Sequence, residues 1–324
     1  MPLRFPSTTR PLVAVVATSL AATGAIGALC LIPQAFGYLA RKLEIEHEVH
    51  RHRAAGWGRF LGVDDAQFGC VKAQVRSQDQ EDLRLLPLLI EAATHRGEAT
   101  FVELGAFDGT TYSNTHMLEK CFGWRGLLIE GNPANFAKLR LHRSSVDNNL
   151  ANMAICKAGG PGYVNFTATG SAMSGDESAM SESFKRQHHA QGHTAQVPVP
   201  CKPLSAIMRD NRLSSGATFL SLDVEGAEAK VLETIDPSRF HVILVELDGH
   251  DPFKDLAVHE RLINAGMLPP LASMGGGASG GVNPTGLRVP RSGVYINARN
   301  GFLAEYVRVE RVATRGVSVH GSAA

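Results

Sequence analysis

Four acidic residues each close an apolar run: Glu103 in FVELG, Glu130 in LLIEG, Asp223 in LSLDV and Glu246 in ILVEL. If these runs are neighbouring parallel strands, their carboxyl ends share one edge, which is where open α/β sheets bind ligands. Carboxylates gathered there lose hydration and repel one another, so they call for a ligand that brings hydroxyls, amines or positive charge. The segment DVEGAE adds Glu225 and Glu228 to Asp223, three acids in quick succession after one strand.

Those three acids need not share a task. Asp223 ends the strand and faces the cleft. Glu225 is divided between the substrate edge and structural capping. Glu228 falls in the first turn of the next helix, where the N-terminal partial charge favours a carboxylate by about 0.3–1 kcal/mol. Gly226 permits the tight turn between them. A divalent cation held by Asp223 with Glu225 or Glu246 is an alternative, because oxygen-only sites suit Mg²⁺, but no metal is assigned. Upstream, ELGAFDG sets Gly105 and Gly109 in a tight turn that resembles the dinucleotide fingerprint GxGxxG without its full glycine count. Glu130, at the end of the next strand, has the position that takes the ribose hydroxyls of an adenosine cofactor. A helix-capping or solvent-facing Glu130 is the alternative.

Alternating elements must position these groups. SQDQEDLRLLPLLIEAATHRG opens the folded domain. Ser77 and Gln80 have capping-box spacing, Leu83, Leu86, Leu89 and Ile90 follow helical spacing, and Pro87 is expected to kink or split the helix. TFVELGAFDG then reads as strand and turn, SNTHMLEKCFG as helix, RGLLIEGNP as strand and NPANFAKLRLHRSS as helix. LANMAICKAGGPGYVNF holds a short third strand and further strand-like sequence. ATFLSLDVEGAE is a fourth strand, AEAKVLETID its helix, FHVILVELDGH a fifth strand, VHERLINAGM a helix and SGVYINAR a late strand. Continuous apolar strands alternating with helices predict a doubly wound α/β sheet covered on both faces. Two long insertions, 167–198 and 272–286, interrupt the pattern, as lids or disordered segments do. His188, His189 and His193 in the first read as solvated.

The 324-residue chain is 44% hydrophobic and 19% charged, with a net charge of +1. That composition is globular, and its near-neutral charge argues against a nucleic-acid partner. The cysteines, Cys30, Cys70, Cys121, Cys156 and Cys201, are odd in number, scattered and without a CxxC pair, which predicts buried thiols rather than disulfides or zinc. From Pro11 to Ala40 no residue is charged, a run long enough for the roughly 20 residues that cross a bilayer. The expected organisation is a short tail (1–11), a membrane-spanning anchor (12–40), a polar stalk (41–76), the folded domain (77–306) and a flexible tail (307–324). A cleaved secretory signal or an organelle presequence is the alternative to the anchor, leaving the chain secreted or organellar. Arg4 and Arg10 on one flank and Arg41 and Lys42 on the other leave the orientation open.

FVELGAFDGTTYSNTHMLEKCFGWRGLLIEGNP, FLSLDVEGAEAKVL and VILVEL, in that order, resemble the FkbM-type methyltransferases, part of the Rossmann-like (class I) group that uses S-adenosylmethionine. The resemblance covers roughly residues 77–300. It implies a seven-stranded sheet with an antiparallel last strand, for which SGVYINAR is the candidate. It also implies that Glu103, Gly105, Ala106 and Asp108 line the methionine side of the cofactor, with Ser113 and Asn114 flanking that turn. Glu130 would hold the ribose, with Asn132 in the turn behind it, and Asp223 would lie beside the methionine amino group and the substrate mouth. Phe107, where the family favours a small or polar residue, and Cys156, near the adenine edge, depart from the pattern. Asn152 and Ala154 are the candidates for the adenine contact.

The activity implied is methyl transfer to a hydroxyl on a carbohydrate or another small molecule. A sulfonium methyl is already electrophilic, so the protein's task is to align the acceptor and exclude water. A hydroxyl acceptor gains from a base, for which Asp223, Glu225 and His250 are candidates. Two other readings compete. A nicotinamide oxidoreductase would share Gly105, Gly109 and Glu130, but should carry a fuller GxGxxG and leaves DVEGAE without a purpose. A non-catalytic, membrane-anchored relative acting in trafficking or scaffolding would account for the anchor and the altered turn. It would be expected to have lost some of Glu103, Asp108, Glu130 and Asp223, and all four are present.

Overall fold

A computed structural model describes residues 33–54, 62–145, 148–167, 171–172, 174–176, 178–180, 196–247, 251–268 and 292–302 of the chain. Helix α1 (Pro33–Ala54) stands in one unit and every other element in a second. Among the described residues no helix is long and apolar enough to cross a membrane. Residues 12–32 of the expected anchor lie outside them, and 33–40 open helix α1. Also outside are Cys30, His188, His189, His193, His250, the 272–286 insertion and the 307–324 tail.

The second unit runs α2 (Asp65–Gln74), α3 (Glu81–Arg96), β1 (Thr100–Leu104), α4 (His116–Phe122), β2 (Arg125–Ile129) and α5 (Pro133–His142). It continues with β3 (Asn149–Ala151), β4 (Ala154–Ile155), β5 (Tyr163–Thr167), β6 (Gln196–Lys202), α6 (Leu204–Asp210) and β7 (Ala217–Leu222). Last come α7 (Glu228–Leu232), β8 (Phe240–Glu246), α8 (Pro252–Asn264), β9 (Met267–Leu268) and β10 (Ser292–Asn297). Seven strands form one sheet in the order β3-β2-β1-β7-β8-β10-β9. The first five are parallel, and β10 runs antiparallel to both β8 and β9. This is the predicted α/β sheet with an antiparallel late strand. Every residue of β1 and β7 is buried, as in a parallel sheet covered on both faces, and Val102, Leu127, Leu220 and Ile243 form the heart of the core. A second, three-stranded sheet, β4-β6-β5, was not anticipated; β5 and β6 take up the two ends of the first insertion.

Three local expectations are corrected. Helix α3 begins at Glu81 behind a left-handed Gln80, with no side-chain cap. Ser77 instead donates its hydroxyl proton to the Asp82 carboxylate at 2.5 Å, and its backbone bridges to Tyr112. Pro87 neither ends nor divides the helix, which continues to Arg96. The polar stretch 41–76, expected as a helical or irregular stalk, contains the end of α1 (to Ala54) and α2, which starts from a capping box made by Asp64 and Gln67.

The thiols are the third correction. Cys70 is bonded to Cys121, joining α2 to α4, and Cys156 to Cys201. The partners are 51 and 45 residues apart, so folding rather than local spacing brings them together. For the second pair, β4 runs parallel to β6 with Ala154 opposite Cys201, and the Cα atoms of Cys156 and Cys201 lie 5.5 Å apart. Serine at Cys156 or Cys201 is expected to cost about 2–4 kcal/mol in denaturant unfolding. Alkylation of the unreduced, denatured protein should leave these four cysteines unlabelled in the mass spectrum; labelling of all four would show free thiols instead.

Candidate functional site

Strand register assembles the site. Leu104 pairs with Ile129 on one side and Leu222 on the other, and Leu222 pairs with Val245. The next residues along each strand, Glu130, Gly105, Asp223 and Glu246, therefore form one row across the carboxyl ends of β2, β1, β7 and β8. The chain order reverses between β1 and β7, the switch point where such sheets bind ligands. There the row borders a cleft of about 310 Å³, at the lower end of ordinary small-molecule sites (roughly 300–1,000 Å³).

Gly105 has φ 76°, and a Cβ on it would lie 1.7 Å from the Asp223 carbonyl oxygen, so no side chain fits. The turn then places Phe107 in the left-handed region, φ 48°. This aims the Phe107 N–H at Glu130 Oε2 (2.9 Å), while the Asn132 N–H donates to Oε1 (2.7 Å). Burial of Glu130 outweighs these two bonds and pushes its pKa up to about 7. Each oxygen keeps lone-pair capacity for a further donor.

Glu103 is also buried, and its pKa is raised because desolvation outweighs its partners. It accepts from the Asn114 N–H (2.8 Å), Ser113 Oγ (3.0 Å) and Thr115 Oγ1 (2.5 Å). Behind these stands Arg143, fully buried. It bonds Glu119 (2.5 Å), the Gly109 carbonyl (2.9 Å), Ser113 (3.2 Å) and Thr115 (3.1 Å), and lies 3.9 Å from Glu103. Sequence reading missed Arg143: its partners lie up to 40 residues away (143 minus 103), so no local spacing signals it.

Of the predicted cofactor residues, Glu103, Gly105, Asn114, Glu130 and Asp223 line the cleft. Ala106, Asp108, Ser113 and Asn132 do not. Ala106 is buried in the turn. Asp108 accepts from the N–H and hydroxyl groups of Thr110 and Thr111; burial opposes its ionisation, but these bonds prevail and hold its pKa low. Ser113 serves Glu103 and Arg143. Asn132 caps α5 and bonds Ser174 across the cleft wall. Asn152 binds the carbonyls of Glu130 and Gly131, whereas Ala154 does line the cleft, with Met153, Ile155 and Phe166 beside it.

Asp223 and Glu225 both line the cleft. Glu225 adopts φ 56°, left-handed for a residue with a side chain, a strained geometry of the kind that clusters at functional sites. Glu228 is structural as predicted: fully buried, it accepts from the Val224 and Gly226 N–H groups and pairs with Lys254 at 3.2 Å. Glu246, noted as a strand-end acid but not counted a cofactor contact, belongs to the row. Altogether the lining holds Glu103, Glu130, Asp176, Asp223, Glu225 and Glu246 and, among the described residues, no Lys, Arg or His. No group of three or more metal-ligating side chains is found among the described residues.

A doubly wound α/β sheet with a cleft at its switch point is built to take a ligand there. In sequence, residues 103–266, just over half of the chain, match the methyltransferase FkbM domain, and the protein belongs to that family. No curated protein matches the chain. Among solved structures, it is similar to the precorrin-6y C5,15-methyltransferase of Geobacter metallireducens GS-15, at 12% identity and a TM-score of 0.28, over 64% of this chain and 86% of that one.

Two outcomes follow from this geometry. Arg143→Met leaves Glu119 without its buried cation and should cost about 3–5 kcal/mol in chemical unfolding. Glu130 holds its proton more tightly folded (about 7) than at its ordinary value of 4.5. Its stabilising contribution is therefore complete below pH 4.5 and lost as pH rises through 7. In the ligand-free protein, Glu130→Gln should remove that slope from a plot of unfolding free energy against pH; an unchanged slope would refute the assignment.

Proposed function

We propose that this protein is an S-adenosylmethionine-dependent methyltransferase acting on a hydroxyl of a carbohydrate or another small molecule, tethered to a membrane by its N-terminal apolar segment. The carrying observation is the row Glu130, Gly105, Asp223, Glu246 beside a cleft lined by acids. Its donor set suits the cofactor: carboxylates for two ribose hydroxyls and an ammonium group, and an apolar wall for a flat base. Asn114 Oδ1, a buried acceptor on the lining residue Asn114, has no hydrogen-bond partner among the described residues.

When bound, the cofactor supplies an electrophilic methyl group. Glu130 would hold the ribose, Met153, Ala154, Ile155 and Phe166 would flank the adenine, and Asn114 with Asp223 would face the ammonium. Glu103 acts from behind by fixing the Ser113–Thr115 loop that presents Asn114. One wall includes Ser174, Gly175 and Asp176, tied down by Asn132 to Ser174 (3.1 Å), Asn135 to the Ser171 carbonyl (3.1 Å) and Lys230 to Asp176 (3.4 Å). This wall limits the access of water. Asp223 and Glu225 are the candidates to take the acceptor's proton, and His250 stays a candidate from sequence. Two disulfides support an oxidising compartment for the domain.

Calorimetric titration of the full-length protein with S-adenosylmethionine should give micromolar binding. Removing the Glu130 carboxylate in Glu130→Ala takes away charge-assisted bonds worth about 1.5–3 kcal/mol each and should weaken binding about 10–100-fold. A folded wild-type protein that binds no cofactor would favour the non-catalytic, tethered reading.

A further inference from the structure

Asp223 and Glu246 are neighbours by construction. They follow the paired residues Leu222 and Val245 on adjacent parallel strands, and both border the main cleft and a smaller adjoining cavity. Two carboxylates so placed cannot both keep full charge in a poorly hydrated site. Neighbouring strands bring the side chains of such a couple within reach of one another, and a proton held by one carboxyl can then be donated to the other. Antiparallel β10 closes the far side, with Ser292 opposite Glu246.

We propose that Glu246 is a positioning residue of the cofactor site: it serves as the hydrogen-bond donor of a carboxyl pair and fixes the Asp223 carboxylate toward the methionine end of the cleft. The inference rests on the S-adenosylmethionine reading and extends it to a residue that never touches the transferring methyl group. The charged surroundings agree on which partner holds the proton. Burial, first, and then Asp223, Glu225 and Glu228 all disfavour an ionised Glu246 and raise its pKa strongly. Asp79 and Glu81, at the start of α3, and Tyr112, in the β1–α4 connection, border the adjoining cavity. The basic side chain Lys254 is engaged by Glu228. Asp223, one strand nearer the centre of the sheet, takes the acceptor's place in the pair and faces the ligand. One proton thus converts two repelling carboxylates into a single oriented anion, which suits a cofactor that carries an ammonium and a sulfonium against one carboxylate.

The distinguishing variant is Glu246→Gln, whose amide N–H donates the same hydrogen bond without an ionisable proton. Calorimetry with S-adenosylmethionine should find E246Q close to wild type. E246A, with melting curves recorded to establish that it is folded, should bind about tenfold or more weakly, as expected for loss of a bond to a charged group. Infrared difference spectra of wild type minus E246Q at neutral pH should show a carboxylic-acid C=O band, which an ionised glutamate would lack. Its absence refutes the inference even if E246A fails to fold, and its presence together with wild-type-like binding by E246Q supports it. Absence of the band, E246Q binding as weakly as E246A, or E246A binding as tightly as wild type would each overturn the inference. Failure of the wild-type protein to bind the cofactor would instead strike the S-adenosylmethionine reading itself, so the two failures are distinct.

Discussion

Arg143 turns inward from the end of α5 and is fully buried. Taking such a charge out of water costs several kcal/mol even after relaxation. The cost is met by groups from β1, the turn that follows it and α4: Glu103, the Gly109 carbonyl, Ser113, Thr115 and Glu119. Because one guanidinium satisfies all of them, the positions of the turn, the helix start and the Glu103 carboxyl are mutually dependent. The Gly109 position shows how tightly: a Cβ there would come within 2.5 Å of Arg143 Cγ. The cleft-lining Asn114 is held in the middle of this cluster, with its N–H on Glu103 and its side chain on Ser221. The first half of the site is thus held in place by an ion cluster of which Glu103 alone borders the cleft.

The acids divide according to what surrounds them. Burial opposes the ionisation of every one, but Glu119, with Arg143, Lys120 and Asn148 around it, has its pKa lowered, as has Asp108 beside Thr110 and Thr111. Glu103, Glu130 and Glu246, which border the cleft, have theirs raised. Glu119 and Asp108 gain more from their donors and cations than burial costs them, and burial outweighs the partners of Glu103; Glu130 and Glu246 meet a shortage of donors. A ligand with hydroxyls near Glu130 and a cationic group near Asp223 relieves that shortage. Stability is given up at the site in return for a prepared electrostatic environment, the usual origin of pKa values displaced together in one cleft.

Much of this was legible in the residue pattern. The strands of a parallel sheet are buried on both faces, so β1, β2, β7 and β8 stand out as apolar runs, and the acid after each run marks the edge where ligands bind. Glu103, Glu130, Asp223 and the structural role of Glu228 followed from that pattern. Side-chain direction did not. The resemblance put Ala106, Asp108, Ser113 and Asn132 at the cofactor; none of them lines the cleft, and the polar three bond the turn, its neighbours and the start of α5, because a tight turn consumes polar groups in satisfying its own backbone. Arg143 and the disulfide partners could not be seen because their contacts are tertiary. Ser77 matched a capping box, but Asp82, five residues on and buried with it, offered its hydroxyl a charged acceptor.

Gly105 ties these strands of reasoning together. Its missing side chain lets the end of β1 close against the Asp223 carbonyl oxygen, so β7 can pair with β1 up to its last residue. That pairing places Asp223 in the row, and the next pairing places Glu246 beside it. The same glycine lines the cleft between Glu130 and Asp223. Any Cβ at this position would meet the Asp223 backbone and push β7 away, displacing the acids that follow it and its neighbour β8. Closure of the sheet and placement of the acid row are therefore one steric constraint, which is why a single glycine here cannot be exchanged for a better strand former.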